Sequence, residues 1–144
     1  MAAKHGWKEL QNYLVVVLRV LHDHPFVIDH DLEIPLPSPE AGEISGDVFC
    51  HDGVILDVTK HFEIRTVGTR KEARTDRYAY HARYEKGGDI LRYDNADHYQ
   101  DGHPTRHHKH DYQSGRDEVT HVGKNWPHLS EVLDEVMGIV WLGR

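Results

Sequence analysis

The chain has 144 residues, of which 38% are hydrophobic and 28% charged, and its formal net charge is -7. This length suits one domain with one core, and the composition is that of a globular rather than a disordered protein. A lone cysteine excludes an internal disulfide and a thiolate zinc cage, and no stretch reaches the length of a membrane helix. We therefore expect a single cytoplasmic domain spanning residues 1–144, without membrane contact.

Charge is distributed unevenly along the chain. Residues 1–63 carry 4 Lys/Arg against 11 Asp/Glu, whereas residues 64–116 carry 11 against 8 and also hold six of the 14 histidines. One interpretation is a phosphate-contacting face on an otherwise acidic body, because imidazoles gain charge beside a polyanion. A surface of mixed charge without such a role fits the composition equally well.

The first predicted element is an amphipathic helix over residues 5–23, in which apolar side chains recur at the three-and-four spacing of one helical face. Prolines at positions 25, 35, 37 and 39 then exclude a regular helix, so the next segment is expected to be extended or irregular. The apolar stripe of the helix consists of Trp7, Leu10, Leu14, Val17, Leu18 and Leu21.

Two β-hairpins are predicted next, because runs of β-forming residues flank an Asp-Gly turn and a Lys-Gly-Gly-Asp turn. Residues 65–75, which lie between the hairpins, are polar and are interpreted as a mobile connection. The paired strands are Ile44–Cys50 with Val54–Ile64, and Arg77–Tyr84 with Ile90–Asn95.

The chain is predicted to end in a short strand over residues 105–112 and a second helix. Pro127 is tolerated in the first turn of this helix. The fold class is therefore α+β, with an N-terminal helix, an antiparallel meander of four to five strands and a C-terminal helix, and with one sheet face covered. The second helix has an apolar stripe of Leu129, Val132, Leu133, Val136, Ile139 and Val140.

The strongest chemical signal is the run Arg-His-His-Lys-His-Asp-Tyr over residues 106–112. In a strand, alternate residues share a face and lie about 7 Å apart. One imidazole could then take the proton of an RNA 2′-hydroxyl, another acid could protonate the leaving oxygen, and a cation could stabilise the transition state without a metal. Alternation places Arg106, His108, His110 and Tyr112 on one face and His107, Lys109 and Asp111 on the other.

Other interpretations of these residues stay open. Neutral imidazoles also suit zinc, nickel or copper, and Asp94 or Asp97 could complete a metal site. A solvated or hydrogen-bonded surface is a third interpretation. Asp94 and Asn95, at the end of the second hairpin, either orient an imidazole or merely form a turn. Tyr78 and Tyr80 are interpreted as packing residues, and Cys50 as buried filler.

Four groups of residues follow one another in a recognisable order: Tyr80-His81, Arg92-Tyr93-Asp94-Asn95-Ala96, His98, and His107-His108-Lys109-His110. In order and spacing they resemble the TumE-type toxins of prokaryotic toxin–antitoxin pairs, over about residues 44–140. The resemblance implies a small protein encoded beside an antitoxin and suspected of attacking RNA or translation. The positions that it carries over are His81, Asp94, Asn95, His98, His107, His108, Lys109 and His110.

The sequence thus predicts a toxin that acts as a metal-independent ribonuclease, with no cofactor. The expected partners are RNA and a cognate antitoxin, which should contact the basic segment from Arg70 to Arg77, and a homodimer is a further option. The alternative is a non-catalytic module that binds a divalent metal or an anion, or a plain interaction protein. The predicted site has catalytic His81, Asp94, His98, His107, His108 and His110, phosphate-binding Arg92, Arg106 and Lys109, and supporting Asn95 and Tyr112.

Overall fold

A computed structural model describes residues 3–35, 38–96 and 107–143 of the chain. Within these ranges it contains two α-helices and an eight-stranded antiparallel sheet. The helices are α1 (Leu10–Asp23) and α2 (Leu129–Leu142), and the strands are β1 (Lys8–Glu9), β2 (Val27–His30), β3 (Ala41–Cys50), β4 (Val54–Val67), β5 (Arg70–Tyr84), β6 (Asp89–Asp94), β7 (His108–Asp111) and β8 (Glu118–His121). The strands β2 to β8 form a meander in chain order, and β1 pairs with β5. The predicted α+β class is confirmed, with more strands than the four to five expected.

The prediction of a mobile connection over residues 65–75 is wrong. β4 and β5 continue through this segment and meet at a turn, where Gly68 adopts a left-handed φ of 64°. Cross-strand ion pairs stabilise the extension, as between Arg65 and Glu72, whose charged atoms lie 2.8 Å apart. The segment is charged on both faces, so it lacks the apolar alternation by which a strand is recognised in a sequence.

The first helix begins at Leu10 rather than near residue 5, because residues 8 and 9 pair with β5 instead of continuing the helix. Trp7 therefore lies outside α1, and its ring contacts the guanidinium groups of Arg65 and Arg74 at 4.2 and 4.5 Å from the ring centroid. The buried face of α1 carries Tyr13, Val17 and Leu21.

The two faces of the sheet differ in what covers them. On one face, which we call the helix-covered face, Tyr78 and Tyr80 of β5 are buried in the core together with residues of both helices. Trp126, just before α2, stacks on Tyr78 with ring centroids 4.1 Å apart. Because side chains alternate along a strand, His81 and its neighbours in the same row project from the opposite face, which we call the open face.

Two features of the fold concern membrane insertion and cysteine chemistry. Within the described residues, neither helix is long and apolar enough to cross a membrane. Cys50 is buried, and burial raises the pKa of its thiol to about 12, so this thiol is not a ready nucleophile.

Close packing of Gly42 gives a first testable prediction. A Cβ atom at this position would overlap the ring of Phe62, which is fully buried and contacts Tyr13 at a centroid distance of 5.0 Å. We expect Gly42→Ala to lower the free energy of unfolding by about 1–3 kcal/mol, because the ring must move within a packed core. Urea denaturation measures this loss.

Gly138→Ala is the matched control for this substitution. Gly138 lies within α2, and a Cβ atom there would meet nothing within 4 Å. The same change should therefore raise the free energy of unfolding by about 0.5–1 kcal/mol through helix propensity. A Gly42→Ala variant as stable as the wild type would contradict the packing argument.

Candidate active site

Three of the predicted site residues lie in one row across the open face of the sheet. His81 of β5 pairs in register with Arg92 of β6, and Arg92 pairs in register with His110 of β7. The two imidazole-bearing residues are separated by two strand spacings, or about 10 Å between Cα atoms. The exposed fractions of the three side chains are 26%, 39% and 13%, so solvent reaches each member of the row.

Each imidazole of the row is hydrogen-bonded to a carboxylate that lies outside the row. His81 Nε2 lies 2.7 Å from Asp89 Oδ1, and His110 Nδ1 lies 2.9 Å from Asp117 Oδ1. A carboxylate in this position fixes the orientation of the ring and supports the charge that the ring gains when it accepts a proton. Both ends of the row are therefore equipped for proton transfer.

Arg92 lies between the two imidazoles and is held by a buried carboxylate. Its Nε donates to Asp94 Oδ2 at 2.8 Å. The terminal amino groups of Arg92 make no hydrogen bond within the described ranges. Because a guanidinium fork matches the geometry of phosphate oxygens, these amino groups are suited to bind a phosphate over the row.

Asp94 and His108 form a buried pair beside the row, two residues along β6 and β7 on the same face. His108 Nε2 lies 3.0 Å from Asp94 Oδ1, and each side chain is only 1% exposed. Asp94 also accepts a hydrogen bond of 3.0 Å from the backbone N–H of Ala96. Because solvent does not reach this pair and Asp94 contacts Arg92, the pair is suited to positioning Arg92 and the end of β6 rather than to contacting a substrate.

Asp94, His108 and His110 also form the group best suited to a metal ion among the described residues. One potential ligand atom from each lies within 4.8 Å of the others. The bond from His110 to Asp117 resembles the second carboxylate that commonly orients a metal-binding imidazole. However, the guanidinium of Arg92 on Asp94 places a positive charge beside the same carboxylate. The residue types and spacing fit a divalent cation, whereas this charge opposes one.

The open face continues from His81 onto β4 and β3 through two carboxyl groups. Burial disfavours the ionised form of Asp57, but hydrogen bonds from Arg83 and Asp47 outweigh it, and the pKa of Asp57 lies below its usual value. The hydrogen bond to Asp57, together with burial, raises the pKa of Asp47 to about 6. Asp57 is thus the member of the pair that ionises first as the pH rises, and its Oδ2 lies 3.6 Å from His81 Nδ1.

Two residues predicted for the site lie on the helix-covered face. His107 stacks on Trp126 with ring centroids 5.1 Å apart, and its Nδ1 lies 3.1 Å from the hydroxyl oxygen of Tyr78. Lys109 forms an ion pair with Glu135 of α2. The sheet therefore separates both side chains from the row of His81, Arg92 and His110.

The supporting residues differ in their contacts. Tyr112 stacks on His110 with an interplanar angle of 11°, and burial raises its pKa, so the phenol keeps its proton. Asn95 accepts a hydrogen bond from the backbone N–H of Tyr78 and donates one to the carbonyl of Asp76, so it ties β6 to β5. The predicted site residues His98 and Arg106 lie outside the described residues.

Sequence reasoning missed the acidic partners of the row. Asp89 follows a Gly-Gly turn and Asp117 precedes β8, and neither position carries a local pattern that marks it as part of a site. Asp57 and Arg83 were missed for the same reason. Their proximity to the imidazoles depends on strand register, which the sequence alone does not specify.

Comparison with known proteins identifies the family. A family model described as Toxin TumE matches residues 17–140, which include the second half of α1 and all but the last two residues of α2. The matched segment begins earlier than residue 44, where the resemblance predicted from the sequence begins. It contains the whole row and the carboxylates of Asp89 and Asp117. No curated protein and no solved structure matches the chain. Because the family model covers far more than half of the chain, this protein belongs to the TumE toxin family.

Proposed function

We propose that this toxin cleaves RNA by acid–base catalysis at the row of His81, Arg92 and His110, without a metal. Membership of a toxin family supports the toxic role and implies an antitoxin partner. The observation that best supports the chemistry is the shared register of two carboxylate-bonded imidazoles on either side of an arginine.

The row provides each group that transesterification of RNA needs. One imidazole accepts the proton of a 2′-hydroxyl while that oxygen bonds to phosphorus, and the other donates a proton to the 5′-oxygen as its bond to phosphorus breaks. The products are a 2′,3′-cyclic phosphate and a 5′-hydroxyl end. Arg92 donates hydrogen bonds to the non-bridging oxygens, where negative charge accumulates in the transition state.

Of the remaining predicted residues, three have indirect roles in this proposal and two have none. Asp94 is a positioning residue, because it is buried and forms an ion pair with Arg92. His108 is a second one, because it is buried against Asp94. Tyr112 packs against His110 and limits its movement. His107 and Lys109 take no part, since they contact Trp126 and Glu135 on the helix-covered face.

A second candidate is a metal-dependent activity or a metal-binding role at Asp94, His108 and His110. It is favoured by the proximity of their potential ligand atoms. In that case the metal would supply Lewis-acid chemistry, and His110 would serve as a ligand rather than as a proton carrier.

Chelation separates the two candidates. Purified wild-type protein is incubated with RNA in buffer and in excess EDTA, and cleavage is followed on a gel. We expect the rate to be unchanged by EDTA. Loss of cleavage in EDTA and its recovery with zinc or manganese would favour the metal site. Growth arrest on expression without RNA cleavage in either buffer would remove the ribonuclease proposal and leave family membership intact.

The antitoxin contact with Arg70 to Arg77 stays a prediction. This segment forms the first half of β5, whereas His81 lies in its second half. Arg70 and Arg74 are already paired with carboxylates on neighbouring positions, so an acidic antitoxin would have to compete with Glu72 and Glu63. The proposal therefore does not depend on this surface.

A further inference from the structure

A basic cavity of about 60 Å³ lies on the helix-covered side of the sheet. It is formed by the N-terminal segment, α1, β4, β5 and the residue that precedes α2. A cavity of this size holds several water molecules or one compact anion. Its cationic lining residues are Lys4, Lys8, Lys60 and Arg74.

Among these cationic residues, Lys60 has the fewest polar contacts to offset its charge. It pairs in register with Tyr78 and lies partly buried beside α1. Within the described ranges its Nζ has no hydrogen bond or ion pair, and its one aromatic contact is the ring of Tyr13, at 5.1 Å from the centroid. Burial and the charge of Lys8 lower the pKa of Lys60 to about 8. A bound anion would relieve both effects.

The other charged groups that face Lys60 leave the cavity positive. Lys4 pairs with Glu131 at 2.9 Å, and Arg74 pairs with Glu63, so these two cations are largely neutralised. Lys8 is exposed and has no carboxylate partner among the described residues. Among the residues that the structure describes, Lys8 and Lys60 are therefore the two lining cations without a paired carboxylate.

The two histidines of the lining add no positive charge near neutral pH. His5 donates to the carbonyl of Trp126, and burial lowers its pKa to about 4. Burial also lowers the pKa of His128. Two uncompensated cations in a small cavity match a compact anion with two negative charges.

We propose that this cavity binds a phosphate group, either as inorganic phosphate or as the terminal phosphate of a nucleotide. The site is separate from the row of His81, Arg92 and His110, because the sheet lies between them. The proposal therefore stands independently of RNA cleavage.

Thermal unfolding and calorimetry with potassium phosphate test the site, with potassium chloride at equal ionic strength as the salt control. Phosphate should raise the Tm of the wild type more than chloride does. In Lys60→Met the affinity for phosphate should fall at least about tenfold, while the Tm without phosphate rises because a buried charge is removed. Lys71→Met is the matched control, since Lys71 is an exposed lysine of β5 outside the cavity.

Two further experiments measure the affinity at different pH values and with a nucleotide in place of phosphate. Because the pKa of Lys60 is about 8, its charge and hence the phosphate affinity should fall as the pH rises from about 7 to about 9.5. Tighter binding of adenosine 5′-monophosphate than of phosphate would identify a nucleotide as the ligand, and equal binding would identify free phosphate. Unchanged affinity in Lys60→Met, an equal loss in Lys71→Met, or an equal effect of chloride would each overturn the proposal.

Discussion

Replacing His110 by alanine is expected to lower the rate of RNA cleavage by about 10²–10⁴-fold and to abolish growth arrest on expression. His110 is the partly exposed imidazole next to Arg92, and Asp117 orients it through a bond of 2.9 Å. In the proposed mechanism, its removal eliminates one of the two proton-transfer groups and leaves the phosphate contact in place. The expected kinetic result is therefore a loss of kcat with little change in KM.

His22→Ala is the control for this variant, because the His22 side chain is 88% exposed on α1, away from the open face. It should cleave RNA at the wild-type rate. Circular dichroism and thermal unfolding establish that the His110→Ala variant is folded. A folded His110→Ala protein that still cleaves within a few-fold of the wild-type rate would exclude His110 from the chemistry.

Replacing Asp94 by alanine should lower the free energy of unfolding by about 3–5 kcal/mol. Asp94 is 1% exposed and interacts with Arg92, His108 and the N–H of Ala96 at 2.8, 3.0 and 3.0 Å. Its loss removes the carboxylate that contacts the guanidinium of Arg92 and the buried imidazole of His108. The free energy of unfolding is measured by urea denaturation.

Asp89→Ala is the control for this variant, because it removes a carboxylate that contacts an imidazole at the surface rather than in the interior. Asp89 also bonds to an imidazole, that of His81, at 2.7 Å, but its side chain is 49% exposed. The loss of stability should be below about 1 kcal/mol. Equal losses for the two variants would contradict the structural role assigned to Asp94.

The sequence allows the general architecture and the faces of β7 to be predicted. Apolar periodicity locates both helices, although it extends α1 too far toward the N-terminus. Alternation along the His-rich run correctly places His108 and His110 on one face and His107 and Lys109 on the other. These features depend on residues close together in the chain.

Long-range features could not be predicted in the same way. β2 and β8 are short and partly exposed, so they lack a clear apolar pattern. The row depends on two strand registers, and a shift of one residue in either would move a side chain to the other face. The carboxylates of Asp89 and Asp117 approach the imidazoles only through these registers.

The chemistry of the RNA ends is the most direct test of the claim that the row of His81, Arg92 and His110 cleaves RNA by acid–base catalysis. Purified toxin is incubated with a defined oligoribonucleotide, and the products are identified by mass spectrometry. We predict a 2′,3′-cyclic phosphate, or the phosphate formed by its hydrolysis, on one fragment and a 5′-hydroxyl on the other. Fragments with a 3′-hydroxyl and a 5′-phosphate would contradict the account, because attack by a 2′-hydroxyl cannot produce them.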